Sequence, residues 1–257
     1  PVQFTSIEIK ENINIHPPIK YSKEQIINQA FKFHSEGNIS EAARYYQYCI
    51  NQGFFDSNIF SNYGIILKDL GKLKEAEILF RKAIELNPSS AQAYSNLGNV
   101  LIDLNKLKEA EISTLKAIKI KPDFSEALSN LGNIYRKIGK LKESEIVTSK
   151  SIAINPNSSQ SHFNLGVILK DQGKLKEAKL STLKAIKINP NFSQAYLHLG
   201  NILNDLGKTK EAEIYTRKAI EINPNSSQSY LNLGSILKCS TSIEKLKEAE
   251  IYTRKAI

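Results

Sequence analysis

The chain has 257 residues, of which 41% are hydrophobic and 24% charged, and its 35 basic and 26 acidic residues leave a net charge of +9. This ordinary composition excludes a disordered polyelectrolyte, which combines fewer apolar residues with a higher charge density. No apolar run approaches the roughly 20 residues that cross a bilayer, so a transmembrane helix is excluded as well.

Side chains that carry chemistry are few and scattered. Cys49 and Cys239 lie far apart and form no CxxC motif, which argues against a disulfide framework and against a cysteine-built zinc site. The four histidines show no metal-ligand spacing, and the sequence contains no phosphate-binding loop, GxSxG or GxGxxG motif. We therefore expect no catalytic residue, no metal and no cofactor. The first residues lack the basic-then-apolar order of a secretory signal, so the cytoplasm is the predicted compartment.

In chain order, the first predicted element is an extended lead-in over residues 1–22, which include His16-Pro17-Pro18 and show no helical periodicity. From residue 23 onward the chain repeats itself at a 34-residue interval. That interval separates Pro88, Pro122, Pro156, Pro190 and Pro224, and likewise Gly64, Gly98, Gly132, Gly166, Gly200 and Gly234. A period of this length is typical of a solenoid, in which each unit buries its apolar face only by stacking on its neighbours.

The repeat array occupies residues 23–257. Its units are 23–56, 57–90, 91–124, 125–158, 159–192, 193–226 and 227–257. The first unit is divergent, because Phe54 stands where the proline is expected. The last unit is incomplete, and it reaches its KLKEAE segment three residues late, which places three extra residues in its inter-helix turn, within CSTSIE.

Each unit is predicted to form two helices joined by a tight turn. Apolar residues recur at helical spacing in both halves. Glycines such as Gly173, and Asn105 in one unit, stand at the turn, where a left-handed residue ends the first helix. The Asn-Pro step ends the second helix. The serines that follow the proline step are predicted to cap the next helix: Ser125, Ser159, Ser193 and Ser227.

These residues resemble the tetratricopeptide repeat, a 34-residue helix–turn–helix unit. The match is carried by Leu97-Gly98, Ala110, Ala117 and Pro122 and by their equivalents in the other units. The resemblance implies an all-α solenoid that coils into a right-handed superhelix, with the first helix of each unit lining a concave groove that binds peptides or proteins. One departure is that the large aromatic residue usual in the second helix survives only as Phe80. Threonine takes its place as Thr114, Thr148, Thr182, Thr216 and Thr253.

The sixth place of successive units carries a nearly uniform series of carboxamides. The series is Asn28, Asn62, Asn96, Asn130, Asn164, His198 and Asn232. By the family geometry this place faces the groove, where a carboxamide offers donors and an acceptor to the backbone of an extended peptide. The series is similar to the asparagine ladder in the repeat arm of O-linked N-acetylglucosamine transferases. The alternative is that Asn-Leu-Gly is simply a common sequence of the family.

The fifth place changes character along the chain. It is Ser61, Ser95 and Ser129 in the earlier units and Phe163, Leu197 and Leu231 in the later ones. This change predicts a groove that is lined by hydroxyls at one end and is apolar, and able to bind a partner, at the other. The alternative is that other parts of the structure cover the apolar residues. The thirteenth place is mostly aspartate, which either pairs with a basic ligand or is solvated.

The positive charge is predicted to lie away from the groove. The groove places of the six clear units balance, so the excess falls on the second helices and turns, where lysines alternate with glutamates. A solvated helical face explains this pattern, and we expect neither nucleic acid nor a membrane as partner. The preference for Lys, Ile and Asn indicates a bacterium with an AT-rich genome.

Three functions stay open at this stage. The leading prediction is a scaffold that binds a protein or an extended peptide in its concave groove. The second is the substrate-recruiting arm of a larger transferase, such as a glycosyl-, sulfo- or methyltransferase. The third is an assembly role through end-to-end stacking. Because the sequence stops at Ile257, inside a second helix without a polar cap, self-association through the last repeat is also expected.

Overall fold

The computed structural model describes residues 22–238 and 243–255. Within these residues it contains fourteen α-helices and no strand, and 80% of the described residues are helical. The fold is therefore all-α, as the periodicity predicts. The predicted lead-in, Cys239 and part of the three-residue insertion lie outside the described residues.

Each repeat contributes two helices, one for each half of the 34-residue period. The first helices are α1 (Lys23–Ser35), α3 (Ser57–Asp69), α5 (Ala91–Asp103), α7 (Ser125–Lys137), α9 (Ser159–Asp171), α11 (Ser193–Asp205) and α13 (Ser227–Lys238). The second helices are α2 (Ile39–Asn51), α4 (Leu73–Leu86), α6 (Leu107–Ile120), α8 (Leu141–Ile154), α10 (Leu175–Ile188), α12 (Thr209–Ile222) and α14 (Ile243–Lys255).

The chain divides between Lys106 and Leu107 into two compact units. In the second unit, the two helices of each repeat pack against each other, and each second helix also packs against the first helix of the next repeat. The first unit is built in the same way from α1 to α5. This is the nearest-neighbour packing of an α-solenoid, so the predicted fold class is confirmed.

The turns inside the repeats follow the prediction. Gly173 has a φ of +77°, and Asn105 takes the same left-handed conformation at +58°. The first helix thus ends where the chain carries a residue that tolerates positive φ. The second helices end at the Asn-Pro step, since Asn87 and Asn189 have left the helical region.

The predicted caps are wrong by one residue. Ser159 and its equivalents are the first residues of their helices, and the capping position is held by the residue before, Ser158 in this case. The Ser158 N–H closes a turn onto the carbonyl of Asn155 at 3.2 Å, so the chain becomes helical one residue later than predicted. Ser158 Oγ then accepts from the Ser161 N–H at 3.1 Å. The equivalent cap residues Phe124 and Phe192 make no side-chain cap bond.

The two helices of a repeat approach closely through glycine. A side chain at Gly64 would meet the ring of Phe80, and one at Gly166 would meet the hydroxyl of Thr182. In three repeats the threonine at the aromatic position bonds its own helix, as Thr182 Oγ1 does by donating to the carbonyl of Ala178 at 2.8 Å. The hydroxyls of Thr114 and Thr148 are buried and have no partner among the described residues.

The last repeat differs from the others at the start of its second helix. α14 begins at Ile243, three residues before Leu246, which is the equivalent of the first residue of α12, Thr209. The sequence places all of the inserted residues in the turn. In the structure, the residues that follow the undescribed segment 239–242 extend the helix instead.

Candidate peptide-binding surface

The first helices of successive repeats lie next to one another. In the second unit, α9 contacts both α7 and α11, and α11 also contacts α13. No contact of similar extent joins the second helices of successive repeats within the described residues. The solvent-facing sides of α7, α9, α11 and α13 therefore form one continuous surface, which we call the first-helix face.

The sixth-place asparagines all lie on first helices, and most of them are half-buried. The side-chain carbonyls of three of them are occupied by glutamines one helical turn earlier. Gln160 Nε2 donates to Asn164 Oδ1 at 2.9 Å, and Gln228 donates to Asn232 at the same distance. Gln92 donates to Asn96 in the first unit at 3.1 Å. The sequence analysis did not single out these glutamines, although their i,i+4 relation to the asparagines was visible.

The asparagine amides reach toward the preceding repeat. Asn164 Nδ2 donates to Ser129 Oγ at 3.0 Å, and Asn232 Nδ2 donates to Asn201 Oδ1 at 2.6 Å. In the first unit, Asn62 Nδ2 donates to the hydroxyl of Tyr46 at 3.4 Å. Each carboxamide NH₂ has two N–H groups. These bonds use one N–H of each amide and hold the carboxamides in place across the repeats.

Ser129 and Ser95 do not line an exposed groove as the sequence predicts. Ser95 is fully buried, and Ser129 is buried under the repeat that follows it, where it accepts the bond from Asn164. A short hydroxyl on a close-packed first helix is covered by the neighbouring helix, whereas the longer side chains at the same place reach the surface. The hydroxyl-lined half of the predicted groove is therefore wrong at these two positions.

The apolar residues of the fifth place remain accessible. Leu231 is 43% exposed, and Phe163 and Leu197 are half-buried. Phe163 packs against the ring of Phe192 at 5.0 Å and edge-on to the imidazole of His198 at 5.6 Å. The neighbouring rings hold Phe163 in place and leave part of it facing solvent.

Phe163 forms a wall of an open cleft of about 230 Å³ between α7, α9 and α11. The cleft is lined by Asn133, Arg136, Lys137, Gln160, Asn164, Val167, Ile168 and Gln194 in addition to Phe163. One aromatic ring, four carboxamides and two basic side chains thus meet at one place. Side-chain amides with an adjacent apolar wall suit both the backbone and an apolar side chain of an extended peptide.

His198 occupies one place in the asparagine series, and most of its ring is buried. It hydrogen-bonds to the backbone of Gly166, while its Nε2 has no partner among the described residues. Burial lowers the pKa of the imidazole, and the nearby Lys170 and Arg136 act in the same direction against the Gly166 bond and Asp171. The histidine is therefore neutral near pH 7.

The thirteenth-place aspartates of two repeats pair with the preceding repeat. Asp171 binds Arg136 at 3.0 Å, and Asp205 binds Lys170 at 2.8 Å. Lys137 stands at the thirteenth place of its own repeat and has no carboxylate partner within the described part of the chain. The cleft therefore presents one basic side chain that the protein does not neutralise.

Away from the cleft, the described residues show no arrangement typical of a metal site or a membrane span. His162 lies on the opposite side of α9, where its Nε2 is 3.1 Å from the carbonyl oxygen of Pro156. Within residues 22–238 and 243–255, no three His, Cys, Asp or Glu side chains gather as a metal site would require. None of the described helices combines the length and the apolar character needed to cross a membrane.

The fold and the first-helix face define a helical-repeat scaffold. Models of the TPR or tetratricopeptide repeat match residues 64–105, 91–124, 114–145, 148–179 and 193–226. Together these ranges cover more than half of the chain, which therefore belongs to the tetratricopeptide repeat family. Proteins of this family are in general non-enzymatic interaction scaffolds. None of the curated proteins matches the sequence.

Solved structures show the same fold at low sequence identity. A tetratricopeptide repeat protein from Parabacteroides merdae is 17% identical, with a TM-score of 0.68 over 91% of this chain and 98% of its own. The protein TTC0263 from Thermus thermophilus is 21% identical, with a TM-score of 0.65 over 71% of this chain and 100% of its own. A chain of the APC/C hetero-tetramer Cut9-Hcn1 is 13% identical, with a TM-score of 0.77 over 92% of this chain and 50% of its own.

Proposed function

We propose that this protein is a scaffold that binds an extended peptide or protein segment along its first-helix face. The cleft beside Phe163 and Asn164 carries the proposal, because it combines fixed amide groups with an accessible aromatic ring. The repeats themselves are proposed to perform no chemistry. The cytoplasmic compartment, the bacterial source and self-association through the last repeat stay predictions.

The asparagines are proposed to contact the peptide backbone. At Asn164 the carbonyl and one N–H are already used within the protein, so the second N–H is the group that meets a peptide carbonyl. Gln160 fixes the orientation of this amide, which lowers the entropy lost on binding. His198 keeps an unbonded Nε2 at its own place in the series.

Backbone contacts alone give modest affinity. One net hydrogen bond contributes roughly 0.5–1.5 kcal/mol, while association and ordering cost about 4–15 kcal/mol. Side-chain contacts must therefore supply the remainder. Phe163, Leu197 and Leu231 offer apolar contact area, and Lys137 offers an unpaired positive charge. The preferred ligand is accordingly a peptide with an acidic residue close to an apolar one.

The proposal is tested by selecting linear peptides from a random display library on the full chain and measuring their affinity by fluorescence anisotropy. The selected peptides are expected to be enriched in acidic and apolar residues. Phe163→Ser and Asn164→Ala are each expected to weaken binding at least fivefold, and Lys137→Gln is expected to reduce the preference for acidic residues.

The matched control is Ile39→Ser, which changes a residue that is 41% exposed on the second helix α2 and that lines neither the cleft nor any other surface proposed to bind. This variant is expected to keep the affinity of the wild type. Circular dichroism confirms that each variant is folded. If Phe163→Ser and Asn164→Ala bind the selected peptides as tightly as the wild type, the first-helix face is not the binding surface.

A further inference from the structure

The second helices expose an aliphatic side chain at the same place in every repeat after the first, which has Arg44 there. In the second unit these residues are between 55% and 69% exposed. They are Ile112, Ile146, Leu180, Ile214 and Ile251. Ile78 holds the same place in the first unit and is 39% exposed. Single exposed apolar residues are common on protein surfaces, but a series at a fixed period is a patterned surface.

Lysines stand four residues before and four residues after each of these aliphatic residues. Around Ile146 they are Lys142 and Lys150, and around Leu180 they are Lys176 and Lys184. Residues four apart lie on one face of a helix, so each aliphatic side chain is bracketed by two amines. We call Ile112, Ile146 and Leu180 and their flanking lysines, with Lys108 and Lys116 on α6, the second-helix stripe.

The lysines of the second-helix stripe are exposed, and they form no ion pair within the described residues. Other charged residues of the second helices do pair between repeats. Glu145 binds Lys174 at 2.9 Å, and Arg217 binds Glu248 at 2.8 Å. The charges that hold neighbouring repeats together are therefore different from those of the stripe, whose amines remain available to a partner.

Shallow apolar depressions lie beside the exposed aliphatic residues. Leu180 borders one between α8 and α10, whose wall includes Ile152 and Leu165. Ile214 borders another with the rings of Tyr196 and Tyr215. An apolar side chain of a partner that contacts Leu180 or Ile214 thus finds further apolar surface between the helices.

We propose that the second-helix stripe is a second docking surface, which binds an acidic amphipathic helix of a partner protein. The apolar side of that helix contacts Ile112, Ile146 and Leu180, and its acidic residues approach the unpaired lysines. Glu143 and Glu177 lie three residues before Ile146 and Leu180, on the same face of their helices. These carboxylates oppose a uniformly anionic lipid surface, and they favour a protein helix whose acidic residues can be placed opposite the lysines.

The test uses the full chain and a fluorescein-labelled synthetic helix in which leucines recur at every third and fourth position and most other residues are glutamate. A peptide of identical composition in scrambled order is the control for charge alone. The amphipathic peptide is expected to bind at micromolar concentration, and the scrambled peptide at least tenfold more weakly. Affinity is expected to fall as salt is raised, because the stripe attracts the peptide through exposed charges.

Two variants separate this surface from the first-helix face. The double variant Ile146→Ser with Leu180→Ser is expected to weaken binding of the amphipathic peptide at least tenfold, and Asn164→Ala is expected to leave it unchanged. Both changed residues of the double variant are 68% exposed, so the fold is expected to survive, which circular dichroism verifies.

Three outcomes overturn the proposal. The first is that the wild type fails to bind the amphipathic peptide or binds the scrambled peptide equally well. The second is that the double variant binds like the wild type. The third is that vesicles of phosphatidylcholine and phosphatidylserine capture the wild type through the same residues while the peptide does not, which assigns the stripe to a lipid surface.

Discussion

Asn164 donates from its Nδ2 to the Oγ of Ser129, which lies 35 residues earlier, across a distance of 3.0 Å. The bond joins the sixth place of one repeat to the fifth place of the preceding repeat. Asn232 has Leu197 at the corresponding fifth place, and leucine offers no acceptor. Its amide turns to Asn201 instead, at 2.6 Å. In these two repeats the fifth residue accounts for the direction of the next asparagine amide, whereas Asn96, which has Ser61 at that place, leaves its Nδ2 without a partner among the described residues.

The coupling between Ser129 and Asn164 is expected to appear as non-additivity in unfolding free energy. Ser129→Ala is expected to cost about 1 kcal/mol, since the buried amide of Asn164 loses its acceptor. A double-mutant cycle with Asn164→Ala is expected to give a coupling energy of roughly 0.5–1.5 kcal/mol in urea unfolding. The control cycle combines Ser129→Ala with Asn232→Ala, and their effects are expected to add. A coupling near zero in the first cycle contradicts this bond.

Close packing at the glycine of each first helix gives a second prediction. In Gly166→Ala the new methyl group would meet Thr182 Oγ1 and would lie 3.3 Å from the carbonyl oxygen of Ala178. The substitution is expected to cost about 1–3 kcal/mol, because the two helices must move apart. Adding Thr182→Ala is expected to recover part of the loss, as measured by thermal unfolding.

The turn glycine is the matched control for this prediction. Nothing lies within 4 Å of a methyl group at Gly173, whose constraint is its positive φ of +77°. Gly173→Asn is expected to cost less than about 1 kcal/mol, since Asn105 adopts this conformation in another repeat. Equal losses in Gly166→Ala and Gly173→Asn would mean that close packing does not distinguish the two positions.

The helices and the turns were predictable because each depends on local sequence that recurs every 34 residues. Gly173 and Asn105 define turns by backbone conformation alone, and the Asn-Pro step ends a helix by steric clash. These effects act within a few residues of the chain. The sequence pattern therefore predicts them without knowledge of the tertiary structure.

Burial and bonding at the site were less predictable, because they depend on contacts between repeats. The hydroxyl of Ser129 is a plausible groove residue in sequence, yet the next repeat covers it and bonds to it. The cap position moved by one residue, since the Ser158 N–H closes a turn onto Asn155. The exposure of Ile146 likewise required the structure, because its spacing also suits a buried helix face.

The buried imidazole of His198 makes stability depend on pH in a defined direction. Its pKa is lowered in the folded state, chiefly by burial, so the unfolded chain takes up a proton first as the pH falls below about 6.5. The stabilising contribution is complete above pH 6.5 and is lost on acidification. The variant His198→Asn carries the common residue of this series at that place. Its melting temperature is expected to fall less between pH 7.5 and pH 5 than the melting temperature of the wild type.

Thermal unfolding of both proteins at several pH values measures this difference. The difference in melting temperature between the two proteins is expected to change as the pH falls below about 6.5, because only the wild type loses the contribution of the neutral imidazole. A wild type and a His198→Asn variant that lose the same stability between pH 7.5 and pH 5 would show that the histidine is accessible to protons in the folded chain.

Glu77 gives a second prediction about pH. It is a buried carboxylate that keeps its charge in the folded state. Burial by itself raises its pKa, but hydrogen bonds from Lys106 at 2.7 Å and from Arg81 at 2.8 Å outweigh burial and lower it. The folded state therefore favours the ionised form. Its contribution to stability is present above the unfolded-state value of about 4.5 and disappears as the pH falls through the lower folded-state value.

Glu77→Gln is expected to reduce the unfolding free energy by about 1 kcal/mol at pH 7, because the two cations lose a charged acceptor while remaining partly solvated. At pH 3 the difference from the wild type is expected to shrink, since the carboxylate of the unfolded wild type takes up a proton below about 4.5. Glu75→Gln on the same helix is the control, because Glu75 forms no ion pair within the described residues. A Glu77→Gln penalty that is the same at pH 7 and pH 3 would assign the loss to altered packing, because the carboxylate of Glu77 is the only titrating group that the two proteins do not share.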